Sequence, residues 1–127
     1  MYGLPLDFDP HVIVGRYLAK ISFGRGSLHL DFDRVLAIEK SDLLSIVIVG
    51  YYSYAIADKT FEGNASEPFS GVNLVALLNN DITEAKTIGR GDFLIGFGLG
   101  NWLHIKEDDS SFESYTIHLP GEQEIVV

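Results

Sequence analysis

The sequence predicts a mainly β protein with one helix, an α+β fold. An antiparallel, strongly curved sheet, half-barrel or sandwich is expected, built from two similar meanders. The first observation is alternation: Leu28, Leu30 and Phe32 interleave with His29, Asp31 and Asp33, the period of a half-buried strand. The second is repetition. Gly24-Arg25-Gly26 returns as Gly89-Arg90-Gly91 and Phe32 as Phe97; after two inserted residues, Leu36 and Ile38 match Leu103 and Ile105. These are six identities over Gly24–Lys40, where unrelated sequence gives about one, and self-similarity at fixed spacing points to a duplicated unit. The third is the apolar run Leu43 to Ala57, expected to be a central strand covered on both faces.

In chain order, residues 1–11 read as an arm ending in an Asp9-Pro10 turn. Val12-Ile13-Val14 aligns with Leu77-Leu78-Asn79, and Gly15 falls opposite Asn80. Gly and Asn both accept the left-handed backbone of a chain reversal. Strands are expected at Tyr17–Phe23, Leu28–Phe32 and Leu36–Ile38, joined by hairpins at Gly24-Arg25-Gly26 and Asp33-Arg34. Gly50 marks a bulge or bend in the long apolar run. Asp58 to Ser70 is polar and reads as a loop. Helix 71–78 follows, capped by Ser70, with Gly71, Leu74, Val75 and Leu78 on one face. Phe93, Ile95, Phe97, Leu103 and Ile105 form the core of the second meander, and Tyr115, Ile117 and Leu119 a further strand before Pro120-Gly121. Glu124 to Val127 suits a final edge strand. The reading is one domain, 1–127, with the repeat at 12–40 and 77–107.

With 127 residues, 46% hydrophobic and 12% aromatic, the chain can bury a core without staples, and the composition excludes disorder. It has no cysteine, so no disulfide framework, thiolate metal site or cysteine nucleophile. No signal peptide and no spanning segment are read, and a cytoplasmic location is expected. Nine basic against 18 acidic residues leave a net charge of -9. Such a field repels nucleic acid and anionic membranes and attracts basic proteins.

No catalytic constellation is visible, and the expectation is a protein that is not an enzyme. His11, His29, His104 and His118 lack ligand spacing, so no metal or cofactor is expected; His29, His104 and His118 could serve catalysis only by converging from separate strands. Asp31 and Asp33 share a face, and Asp108-Asp109 lies in an acidic loop without the pattern of a calcium site. Tyr51, Tyr52 and Tyr54 offer the stiff amphipathic surface favoured at interfaces, or ordinary strand packing.

The first copy runs from Gly15 through Leu28-His29-Leu30-Asp31-Phe32 to Leu36-Ala37-Ile38-Glu39. Phe112-Glu113-Ser114-Tyr115 and Pro120-Gly121-Glu122 come later. Over most of the chain these motifs resemble a bacterial family catalogued only as a domain of unknown function, with a duplicated L-x-L-x-F and L-x-I-E pattern. The second copy departs in Asn80 and Lys106. Such domains are similar to immunity proteins, which neutralise toxins of contact-dependent inhibition. The resemblance implies a cytoplasmic inhibitor that occludes a basic, nuclease-type toxin. Asp31, Asp33, Asp108, Asp109 and Glu113, with Tyr52 and Tyr54, are the expected contact residues. The alternatives are a small-molecule or lipid-binding β module and a self-associating structural protein.

Overall fold

The computed structural model describes residues 4–5, 8–34, 43–107, 113–121 and 123–127. The expected strand Leu36–Ile38 and the loop carboxylates Asp108 and Asp109 lie outside them. Among the described residues, ten strands form two five-stranded antiparallel sheets. They are β1 (Tyr17–Phe23), β2 (Leu28–Asp33), β3 (Leu44–Ile48), β4 (Tyr51–Ile56), β5 (Lys59–Asn64), β6 (Glu84–Ile88), β7 (Asp92–Gly98), β8 (Asn101–Ile105), β9 (Tyr115–His118) and β10 (Glu124–Val126). The 3₁₀ segments η1 (Pro10–Ile13) and η2 (Pro68–Leu77), among the described residues, each precede a meander. The first sheet has the order β1-β2-β3-β9-β10 and the second β5-β4-β8-β7-β6. Both keep open edges, so the arrangement is a sandwich rather than a curled half-barrel. The buried faces feed one core that contains both Phe32 and Phe97.

The order of strands reveals a duplication larger than the expected repeat. Each half of the chain runs 3₁₀ segment, three-strand meander, hairpin. The hairpin β4–β5 leaves its own meander and completes the sheet of the second, while β9–β10 completes the sheet of the first. Registers coincide across the two halves. Leu28 pairs with Ile48 and Leu30 with Ile46, as Phe93 does with Ile105 and Ile95 with Leu103. Across the exchange, Ile48 meets Tyr115 and Ile46 meets Ile117, as Ile105 meets Tyr52 and Leu103 meets Tyr54. At the centre the two halves touch directly. Tyr17 and Asp81 form an antiparallel bridge, flanked by Ile82 N–H to Arg16 C=O at 2.7 Å and Asn79 N–H to Leu18 C=O at 2.8 Å.

The run from Leu43 to Ala57 is therefore two strands in two sheets, not one strand covered on both faces. Val49 and Gly50 turn the chain from one layer to the other, and both N–H groups donate to the Ser114 carbonyl. In β3 burial alternates, Leu44, Ile46 and Ile48 facing inwards. The stretch read as a polar loop contains β5, because Ala57 and Asp58 (φ 51° and 69°) form the tight reversal that the right-handed strand twist favours. The expected α-helix 71–78 is 3₁₀. Gly71, Leu74 and Leu77 are buried at strict i+3 spacing, the face of a three-residue turn, whereas Val75 is exposed. Ser70 does not cap it: its hydroxyl accepts from Asn64 N–H at 2.9 Å and ties η2 to β5. In β1 a register shift between Leu18 and Lys20 buries Leu18, while Tyr17 and Ala19 stay half-buried.

Tyr52 and Tyr54 are fully buried. Tyr52 stacks on Tyr54 and Tyr54 on Phe61, with centroids 6.0 and 5.0 Å apart. Two glycines admit Tyr52: a Cβ at Gly63 would land in its ring and one at Gly71 on its hydroxyl. Gly63→Ala is expected to cost about 2–3 kcal/mol through overpacking. Ala57→Gly should gain up to about 1 kcal/mol by relieving a left-handed alanine. Urea denaturation at constant m-value measures both.

Candidate functional site

Of the described residues picked from sequence as a contact surface, the carboxylates are accessible and the two tyrosines are not. Asp31 and Asp33 lie on the outer face of the first sheet. Ser45 Oγ donates to Asp31 Oδ1 at 2.8 Å, and Asp33 Oδ1 accepts from Arg34 N–H. Glu113 is exposed ahead of β9, with Thr116 Oγ1 3.4 Å from its carboxylate. Tyr52 and Tyr54 are in the core beneath the second sheet, and burial pushes both phenols above their ordinary pKa. Their strand parity puts them inside, while Tyr51, on the opposite parity, is 54% exposed. The histidines do not converge either. His29 and His118 sit on the outer face of the first sheet and His104 on that of the second. Among the described residues no group of three or more His, Asp or Glu side chains is placed to hold a metal ion. No helix among them is long and apolar enough to cross a membrane.

What the fold does assemble lies around the start of η2. Pro68 fixes the first turn, and the i+3 face described above points Gly71, Leu74 and Leu77 inwards. Phe69 and Val72 are thereby turned out. Phe69 is 91% exposed, the reverse of what burial energetics gives a phenylalanine in isolation. With Phe23, Pro68 and Val72 it lines an apolar notch of about 210 Å³. Phe23 reaches it from the end of β1, packed close to Gly71.

On the other side of residues 67–70 lies an open groove of about 680 Å³, lined by Tyr51, Glu62, Asn64, Glu67, Lys106 and Glu107, among others. Three carboxylates face one ammonium there, and Lys106 is engaged with Glu62 at 3.1 Å. Notch and groove share one rim, so an apolar anchor and an acidic border are contiguous. Sequence reading missed this surface because a lone Phe69 gives no periodic signal. The i+3 spacing of Gly71, Leu74 and Leu77 is the clue that would have turned it outwards.

One residue of the groove's lining, Glu107, belongs to a cross-strand cluster. Asp92 Oδ2 and His104 Nε2 are 2.8 Å apart, and Asp92 Oδ1 accepts the Glu107 N–H at 2.9 Å. Glu107 is nearly buried, with Arg90 Nε 3.9 Å from one oxygen. Its other oxygen is packed over Gly91 without a hydrogen bond. The buried Tyr115 hydroxyl donates to the Gly91 carbonyl at 2.6 Å. Each Gly-Arg-Gly is thus a hairpin turn, the second also anchoring β9. Burial foremost, then the carboxylates of Asp92 and Glu107, push the Tyr115 phenol far above its usual value.

Asp92→Ala removes two bonds and His104→Ala one, so the first should cost about 1–3 kcal/mol and the second less, as read by thermal unfolding. Tyr115 also sets an alkaline limit. Its raised folded pKa means its share of stability is complete below pH 10. Above that, the unfolded chain alone ionises, and stability falls by about 1.4 kcal/mol per pH unit from this group. Tyr115→Phe should flatten that slope in urea titrations above pH 10. No protein-family model, curated protein or solved structure matches this chain.

Proposed function

We propose that this chain is a non-catalytic inhibitor of the immunity-protein type, binding and occluding a basic toxin, probed most directly with a nuclease-type one. The observation that carries the reading is Phe69, 91% exposed on the 3₁₀ segment η2 and set beside carboxylates. An apolar anchor with a charged border is how tight interfaces are built: the aromatic side chain supplies affinity, and the border supplies steering and partner choice. A net charge of -9 favours a cationic partner at long range, and Glu62 and Glu67 continue that preference at the groove. A partner that presents an apolar side chain to the notch and cationic side chains to the groove would satisfy both. Where phosphates would lie in a nuclease, carboxylates would lie instead.

The contact set differs from that read in the sequence. Tyr51 replaces Tyr52 and Tyr54 as the tyrosine available to a partner, and Glu62 and Glu67 join the acidic residues. The protein's own stability does not depend on Phe69, which contributes almost no buried area.

The test is inhibition of, and binding to, basic nuclease toxin domains, beginning with any that a neighbouring gene encodes. Phe69→Ala should leave the unfolding midpoint unchanged and weaken binding at least about thirtyfold, the loss expected of a central aromatic anchor. Glu62→Gln with Glu67→Gln should slow association and flatten its salt dependence while changing dissociation little. Undiminished inhibition by Phe69→Ala would remove the notch from the interface. Absence of any binding or protection by the wild-type chain would reject the function itself.

A further inference from the structure

We infer that the chain carries a second interaction surface, one that fits another copy of itself: the two seams by which its halves complete each other's sheets can be satisfied between two chains. The inference rests on topology and is independent of the functional reading. Two ladders join the halves. One is β3 with β9 (Ser45–His118 through Ile48–Tyr115), the other β4 with β8 (Tyr52–Ile105 through Ala55–Trp102). The direct bridge Tyr17–Asp81 adds to them. Within one half, no ladder joins β3 to β4, which stand in different sheets.

The only covalent link between the halves is Ala65–Glu67, between the end of β5 and the start of η2. It is folded as a tight reversal: Glu67 N–H donates to Asn64 C=O at 2.9 Å, and Ser66 N–H to Asn64 Oδ1 at 3.0 Å. If this link extends, the second half of one chain can occupy the same place on the first half of another. Both sheets, both seams and the common core are then rebuilt twice, with no new contact required. Only the bonds of the reversal are lost. This is the condition under which exchange between identical chains is cheap, and concentration then decides between the closed monomer and the exchanged dimer.

The chain has no cysteine, so Val47→Cys with Thr116→Cys, register partners across β3 and β9 on the outer face, reports the exchange cleanly. The pair is refolded from urea at low and high protein concentration and then oxidised. The expected result is an intrachain bond in dilute samples, and a rising fraction of dimer covalently joined through interchain bonds in concentrated ones. Intrachain bonds at every concentration, whether in a monomer or in a dimer, would overturn the inference. Removing Ala65 and Ser66, so that the reversal cannot close, should shift the chain to a dimer with unchanged far-ultraviolet circular dichroism. A folded monomer from that deletion would also overturn it, and the cysteine pair, which leaves the reversal intact, decides the matter if the deletion does not fold.

Discussion

Neither half of this chain can finish its own sheet, and that constraint governs the rest of the structure. Each meander presents the open edge of its third strand, a row of backbone donors and acceptors that must be paired or solvated. The hairpin that pairs it comes from the other half. Ile48 beside Tyr115, and Ile105 beside Tyr52, are the residues on which the exchange closes. The corner at Val49-Gly50 is the consequence: the chain must cross the core before its next strand, and the Ser114 carbonyl receives both of its N–H groups.

The two halves resemble each other on their inward faces and differ on their outer ones. Leu28, Leu30 and Phe32 have Phe93, Ile95 and Phe97 as inward counterparts, while the outward His29 and Asp31 correspond to Leu94 and Gly96. A shared interior constrains volume and shape on both sides at once, and the outer faces carry no such restraint. The outer face of the second sheet could therefore acquire the Asp92–His104 cluster and the adjoining groove. The notch at Phe69 belongs to η2, which is 10 residues long where η1 has four. The proposed contact surface thus lies where the two halves differ.

Much of the sandwich was legible because alternation and hairpin glycines act locally. Leu28–Phe32, Phe93–Phe97 and Tyr115–Leu119 declare their inward faces by parity alone, and Gly50 announces the corner. The β4–β5 hairpin was not legible, since its turn residues Ala57 and Asp58 are not the usual pair for positive φ. Strand β6 shows weakly because an edge strand with Glu84 and Lys86 outwards has little apolar pattern. The helix type turned on distinguishing a period of 3.0 from 3.6 over ten residues, where Leu77 rather than Val75 decides. Tyr52 and Tyr54 are ambiguous in the sequence because tyrosine suits both interfaces and cores; the strand partners Ile105 and Leu103 resolve which. The Asp92–His104 pair needs the β7–β8 register to be seen at all.

The central claim is that two exchanged halves form one cooperative body around one interior. Native-state hydrogen exchange tests it most directly. The amides of Ile46, Tyr54, Ile95, Leu103 and Ile117 should open with a single free energy equal to that of global unfolding, and should respond to denaturant with one common slope. Two classes of protection would contradict the account, if residues 17–64 opened as one unit and residues 84–126 as another, each with its own slope.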